Sequence, residues 1–561
     1  MAFQLSPGVN VSEVDLTTVV PSVLTTAGAF AGTFSWGPAQ KVILISNELA
    51  LTSTFGKPTS NSADSFFTSA SFLAYGNNLS VVRAVGTDSF NADVAGSGNQ
   101  IANSDVFEET ILNTDVLNQY GSFMARYPGA LGNSLSVSVC ANSATFNTWD
   151  YKNYFTSAPG TSEYASAAGG LNDELHIVVV DTNGMFTGTA GQVIETYPFL
   201  SKASDAQVNG ATNYYKQVIF NQSKYVYACD PVDYTNTSAT WGQAADTTFA
   251  TPAHNITVPL ISGTDANPTA GDLEMAYDLF ANKETIDISL VLTGSSETSV
   301  QQYVIDNVVN TRKDCVAFIS PPSSAVVNQA GSETDNINTW LGDLARSSSY
   351  VVADSGWKYM YDKYNSVYRY VPLNGDVAGL CVNTDTVRDP WYSPAGFNRG
   401  AIKNAIKLAW NPNKTFRDTL YAAGVNPVVS FPGQGIVLYG DKTLQAKPSA
   451  FDRINVRRLF IVLEKSIAKA AQYSLFEFND EFTRAQFVAL VTPFLRDVQG
   501  RRGITDFKVV CDTTNNTPQV IDSNQFVGDI YIKPARSVNF IQLNFVAVGT
   551  GVDFTTVVGA A

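Results

Sequence analysis

Near its C-terminal end the chain alternates. Ile541, Leu543, Phe545 and Ala547 are spaced by Gln542, Asn544 and Val546, the period-two pattern of a strand with one buried face. A Gly549-Thr550-Gly551 break follows, and Val552, Phe554, Val557 and Val558 then supply a second short run rich in β-branched and aromatic residues. The N-terminus has the same texture: Phe3 and Leu5, then Val9 and Val11, alternate with polar neighbours around a Pro7-Gly8 turn. Both ends are therefore predicted to be strand-forming arms. An open strand edge exposes N–H and C=O groups that must be covered or paired. Donation to a neighbouring subunit's sheet satisfies them, and so does pairing within their own domain; the pattern leaves both open.

Upstream the period becomes helical. Asp452 to Tyr473 places Leu459, Leu463, Ile467 and Ala470 on one stripe, and Arg458, Lys465 and Lys469, joined by Arg457, on another side. This basic stripe is either a surface for an acidic partner or a solvated face paired lightly through Glu464. A second helix is predicted after Asn479 as N-cap, with Asp480 and Glu481 in its first turn, a kink at Pro493 and a stop at Gly500. Ile504 to Asp512 and Gln525 to Lys533 are expected to form one sheet with the Ser537 to Val548 run.

Earlier in the chain, short apolar runs at Ile286 to Leu292, Cys315 to Ser320 and Tyr350 to Ala353 alternate with helical stretches at Ser299 to Lys313 and Ser332 to Arg346. That order is expected of an α/β layer with parallel pairing. The region from about Thr87 to His254 is rich in Asn, Ser, Thr, Gly and Tyr. Its strand-like stretches, Leu135 to Cys140, His176 to Val180 and Lys216 to Cys229, predict a mostly β domain.

Composition narrows the class. With 561 residues, 45% hydrophobic and 15% charged, the chain is long and apolar enough for three or four ordered domains. Met1 to Gln40 contains no Lys or Arg, so no basic leader segment is expected; Pro21 and Pro38 interrupt the uncharged Leu16 to Gln40, which argues against a membrane span. The net charge of −15 is uneven: from residue 401 onward 18 Lys plus Arg outnumber 13 Asp plus Glu. A basic rear this mild suits a protein partner better than nucleic acid.

The usual marks of catalysis are thin. Five widely spaced cysteines, Cys140, Cys229, Cys315, Cys381 and Cys511, read as core residues in a reducing compartment, and His176 and His254 are too few for a zinc site. Gly56-Lys57 is followed by Pro58 rather than Ser or Thr, and no glycine-rich loop or nucleophile elbow appears elsewhere. Neighbouring acids, Asp385 with Asp389 and Glu477 with Asp480 and Glu481, leave a soluble enzyme or binding module, such as a hydrolase, as the alternative from a different class. No catalytic residue, cofactor or metal site is expected.

Several separated segments share one resemblance. SPGVNVSEVD (Ser6 to Asp15), GAFAGTFSWGPA (Gly28 to Ala39), LTSTFGKP (Leu51 to Pro58) and LSVVRAVG (Leu79 to Gly86) stand near the start. VPLNGDVAGLCVNTDTVRDPWYSPAG (Val371 to Gly396), LYAAGVNPVV, GIVLYGDKT, INVRRLF and IKPARSVNFIQLNF follow in the later part. In this order and spacing the chain resembles the tail sheath proteins of contractile-tailed bacteriophages, related to pyocin and type VI secretion sheaths. The resemblance implies a non-enzymatic structural subunit that forms stacked sixfold rings around a tail tube and contracts to drive the tube through the host envelope. Implied partners are other copies, the tube protein, and baseplate and terminator proteins, without direct nucleic-acid contact or membrane insertion. Assembly in the host cytoplasm and a final place in the virion tail follow from the same likeness. A pyocin or type VI-like sheath is the neighbouring alternative.

On this reading the fold class is a mixed α+β and α/β multidomain chain. Residues 1–20 are an N-terminal arm, 21–88 with 255–410 an α/β middle domain, and 89–254 an outer, mostly β insertion. Residues 411–548 form an inner α+β domain facing the tube, and 549–561 a C-terminal arm. Arg457, Arg458, Lys465 and Lys469 are then the candidate tube-facing residues, and Phe3, Leu5, Val9, Val11, Val552, Phe554, Val557 and Val558 the candidate inter-subunit arms.

Overall fold

A computed structural model describes residues 20–21, 23–112, 120–231 and 240–543, which divide into two compact units. Residues 20–473 form the larger. Its centre is a seven-stranded sheet in the order Val425–Asn426, Val351–Asp354, Val316–Ile319, Leu290–Leu292, Gly28–Gly32, Leu79–Arg83 and Val42–Ile45. All neighbours are parallel except the last pair.

The sequence dictates a sheet covered on both faces. Phe30, Leu290, Leu292, Val316, Phe318 and Val352 enter one core with the helices Glu48–Phe55, Ala63–Leu73 and Asn374–Val387. The alternate residues Ala29, Ala31, Val291, Ala317, Ile319 and Val351 enter a second core with Ala270–Asp278, Glu333–Leu344 and neighbouring helices. Strands buried on both faces read as continuous apolar runs, which is how the parallel layer shows in the sequence. Ligands of open α/β sheets bind outside the carboxyl ends of their strands. Between Leu290–Leu292 and Val316–Ile319 that position is filled by Asn374, which accepts from the Gly294 N–H (3.0 Å) and donates to the Gly294 carbonyl (2.8 Å) and Ser320 Oγ (2.9 Å).

The insertion has its own four-stranded antiparallel sheet, Ile256–Pro259, Leu135–Cys140, Glu174–Asp181 and Gln192–Ser201, around a separate core. Its last strand lies beyond His254, the expected limit of the insertion. Lys216 to Cys229, expected as one strand, is instead a helix, Tyr215–Gln222, followed by the short strand Val226–Ala228. Tyr215, Val218 and Ile219 are buried at helical spacing, so the apolar run obeys the longer period. The insertion is tied to the parallel sheet by the buried Arg83, whose guanidinium donates to the carbonyls of Phe34, Gly37 and Pro128 at 2.8–2.9 Å.

His176 is locked inside the insertion. Its Nε2–H donates to the Ser157 carbonyl (2.9 Å), and its Nδ1 accepts from the Phe199 N–H (3.0 Å), so the two bonds require the neutral ring. Phe155 stacks on it at 4.3 Å and Trp149 at 6.4 Å. Burial pushes its pKa below the ordinary 6.5. Because the unfolded state takes up the proton first, stability contributed by this site is expected to fall as pH drops through about 6.5, and to level off below the folded-state pKa. The slope is at most about 1.4 kcal/mol per pH unit. Trp149 fluorescence during acid titration measures it, and His176→Gln should flatten the response.

Residues 474–543 form the smaller unit. The helix Glu481–Gly500 runs through Pro493 and packs Phe487, Val491, Leu495 and Val498 inward. Its N-cap is Asp480, which accepts from the Thr483 N–H at 2.9 Å, and not Asn479. Asn479 instead donates to the Gln525 carbonyl (2.7 Å). Ile504–Val510 and Asp529–Pro534 pair antiparallel as a sheet of two strands. The expected third strand is absent through Leu543: residues 535–543 carry no strand pairing, and the rest of that run lies outside the described residues.

The expected inner domain began at Asn411, whereas the compact units divide at Tyr473 and Ser474. Val425–Asn426 is the edge of the parallel sheet, and Ile454 and Ile461 belong to its core, so burial holds these residues in the larger unit.

Candidate assembly surfaces

The helix Ile454–Ala471 buries Leu459, Leu463, Ile467 and Ala470 as its spacing predicts. The basic stripe is a correction. Arg458 is 4% exposed and makes a two-pronged ion pair with Asp385 on Asn374–Val387, Nη1 to Oδ1 at 2.8 Å and Nη2 to Oδ2 at 2.6 Å. Burial alone would weaken its charge; the Asp385 carboxylate more than offsets that and holds its pKa above the ordinary value. Arg457 is 5% exposed and lies 4.2 Å from the Tyr350 ring centre and 4.0 Å from that of Phe451, a cation–π position on both. Lys465 reaches Asp287 at 2.5 Å and the Ile288 carbonyl at 3.1 Å. Of the four expected tube-facing residues, only Lys469 stands exposed. Angular position on a helix identifies a shared side but not what covers it, and here the chain's own Asp385, Tyr350 and Asp287 do.

The smaller unit has the opposite character. Val538, Phe540, Ile541 and Leu543 are all exposed, Phe540 at 84%. They follow the hairpin directly, where the Ala535 N–H donates to the Gly503 carbonyl at 3.1 Å. Leu475, Phe476 and Phe478, in the loop before Glu481–Gly500, are exposed as well, Phe476 completely. Scattered exposed apolar residues need no explanation, but a concentration of this kind makes a candidate interaction surface. The alternation in the sequence picks out Ile541 and Leu543 of the first group, while Val538 and Phe540 stand outside it. It misses the second group, whose signal is two phenylalanines beside a helix cap where turn residues are normal. The expected arm residues Phe3, Leu5, Val9, Val11, Val552, Phe554, Val557 and Val558 lie outside the described residues.

Three family models match along the chain: the tail sheath protein Gp18 domain III N-terminal region over residues 25–84, the phage tail sheath protein central domain over 266–444, and the phage tail sheath C-terminal domain over 446–547. The tail sheath protein of Vibrio phage KVP40 is 33% identical, with 99% of this chain and 100% of the relative covered. That of Enterobacteria phage T4 is 32% identical, with 99% of each covered. The chain belongs to the tail sheath protein family. Among solved structures, a sheath tail protein from Listeria innocua aligns with a TM-score of 0.52 at 12% identity, over 91% of this chain and 94% of that one. The helical sheath of the anti-feeding prophage in its contracted state gives 0.52 at 13% identity, over 97% and 99%. These two share the fold. The sheath subunit is thus a structural component of a contractile phage tail, and its matched segments bracket the insertion, since residues 85–265 fall between the first and second family models.

Proposed function

We propose that this sheath subunit polymerises as stacked sixfold rings around a tail tube and that contraction of the polymer drives the tube through the host envelope. The exposed apolar tail, Val538 to Leu543, carries the reading. It continues past a two-stranded sheet whose outer edges can accept further strands, so arms from other copies complete that sheet by strand addition. Phe3, Leu5, Val9 and Val11 at one end, and Val552, Phe554, Val557 and Val558 at the other, supply those strands. A head-to-tail contact of this type propagates until capped, which assigns the baseplate and terminator proteins to the two ends of the polymer.

Contraction is a rigid-body rearrangement between two lattices with the arms as tethers, driven by new subunit contacts and not by a nucleotide or a catalysed reaction. The insertion faces outward, and the C-terminal part, with Lys469 on its basic helix, faces the tube. Assembly takes place in the host cytoplasm, and the product is the tail of the virion. Negative-stain electron microscopy of the concentrated protein, alone and with the tube protein, tests the proposal. Hollow sixfold tubes are the expected result; discrete particles at every concentration in both preparations contradict it.

A further inference from the structure

Two carboxyl groups and one ammonium are sealed inside the larger unit. Asp354, at the end of Val351–Asp354, Lys358, and Asp376, in the first turn of Asn374–Val387, are all buried to 99% or more. The lysine is committed to one of the acids. Its Nζ lies 2.9 Å from Asp376 Oδ1 and 2.8 Å from Oδ2, and it also donates to the Lys403 carbonyl at 3.2 Å. The Tyr75 hydroxyl supports the same acid, donating to Asp376 Oδ1 at 3.3 Å.

Asp354 is left with neutral donors. Ser320 Oγ–H reaches its Oδ2 at 2.6 Å and the Gly356 N–H reaches Oδ1 at 2.9 Å, whereas an ionised carboxylate has room for about four hydrogen bonds. Among the described residues it makes no ion pair. From the helix Asn374–Val387 it meets the like charge of Asp376, and on Trp357–Asp362 the ammonium of Lys358 is taken by that same Asp376. The edge strand Val425–Asn426 brings the neutral Asn426, and Lys442 beyond it turns its Nζ to the Tyr421 carbonyl at 2.6 Å. A buried acid without a cation of its own takes up a proton instead of holding a bare charge. Burial, with the Asp376 repulsion added and against the two hydrogen bonds, pushes the Asp354 carboxyl up to about 8.

The same carboxyl ends a chain of hydrogen bonds. Ser320 Oγ accepts from the Asn374 N–H (3.0 Å) and Nδ2 (2.9 Å), and Asn374 holds both backbone groups of Gly294. The ends of three parallel strands and the start of one helix are tied together through these groups. We propose that Asp354 carries a proton in the folded subunit at neutral pH, and that loss of this proton loosens the tie between the strand ends and the helix Asn374–Val387. An ionised Asp354 needs donors that this packed interior does not hold, so water has to enter between the strand ends. The unfolded chain releases the proton near 3.8 and the folded chain near 8. Stability contributed by the site is therefore full below about 3.8 and is lost as pH rises through about 8, opposite in sign to the His176 effect.

Urea unfolding of the full chain between neutral pH and about pH 8, above the range in which His176 takes up its proton, is the first test. The unfolding constant should rise by up to about tenfold per pH unit, and Asp354→Asn, which keeps the shape and cannot ionise, should remove that rise. Hydrogen exchange at the Gly294 and Asn374 amides, corrected for the intrinsic effect of pH, should quicken above about pH 8 in the unmodified chain and not in the variant. Infrared spectroscopy of the unmodified chain keeps the proposal testable where the variant does not fold. The carbonyl band of a protonated carboxyl, shifted by isotope-labelled aspartate, is expected at neutral pH and should fade as pH passes about 8. Absence of the band at neutral pH overturns the proposal. So does a folded Asp354→Asn that keeps the slope, or one that keeps the band, which then belongs to Asp376.

Discussion

Asp385→Ala is expected to destabilise the larger unit by about 3–5 kcal/mol, because it leaves the Arg458 guanidinium buried without its carboxylate. The two side chains are 4% and 5% exposed, and the remaining Arg458 contacts, to the Cys381 and Thr25 carbonyls at 3.3 Å, are too long to replace a two-pronged ion pair. Urea unfolding followed by circular dichroism measures the loss. Replacing both partners at once, Arg458→Met with Asp385→Leu, should recover most of it, since a buried pair exchanged for apolar residues of similar size is close to neutral. A single variant that unfolds at the unmodified urea midpoint would mean that water reaches the pair. The same geometry bears on tests of tube attachment. Reversing Arg458 to Glu reports folding before it reports any partner, and of the four basic residues on this helix Lys469 is the one whose reversal should leave the fold intact.

Much of the fold was legible because burial imposes a period. Leu290–Leu292, Val316–Ile319 and Val351–Asp354 had to be strands buried on both faces, since an unbroken apolar run between helical stretches has few other places in a chain of this size. Leu459, Leu463, Ile467 and Ala470 fixed the inward side of their helix for the same reason. What could not be read was which surface meets which. Arg458 and Asp385 are 73 positions apart and Lys465 and Asp287 are 178 apart, and neither pairing leaves a local pattern. Tyr215, Val218 and Ile219 fit two periods over a short run, and only packing decided for the helix. The candidate surfaces divide in the same way. Ile541 and Leu543 announced themselves because alternation is local, whereas Leu475, Phe476 and Phe478 before the helix Glu481–Gly500 follow no period.

Removing residues 537–561 is expected to leave a folded subunit that does not form tubes. Val538, Phe540, Ile541 and Leu543 are exposed in the single chain, so their loss removes little of its own core and should leave the melting temperature within about 2 °C. Under the proposed strand donation the same side chains become buried against other copies, at roughly 1.5 kcal/mol or more each, which sums to about 6 kcal/mol per tail before the cost of ordering it. Even if ordering takes half of that, about 3 kcal/mol remains, a loss of two orders of magnitude in each association step. Repeated along a helical lattice, a defect of that size abolishes assembly at concentrations where the full chain forms tubes. Sedimentation velocity distinguishes the outcomes: a monomer peak at all concentrations supports strand donation by the tail, and tubes of normal length from the truncated chain place the lattice contacts elsewhere. Serine at Phe540, Ile541 and Leu543 together should reproduce most of the truncation, because a donated strand keeps its backbone bonds but loses the apolar side chains that fix its register.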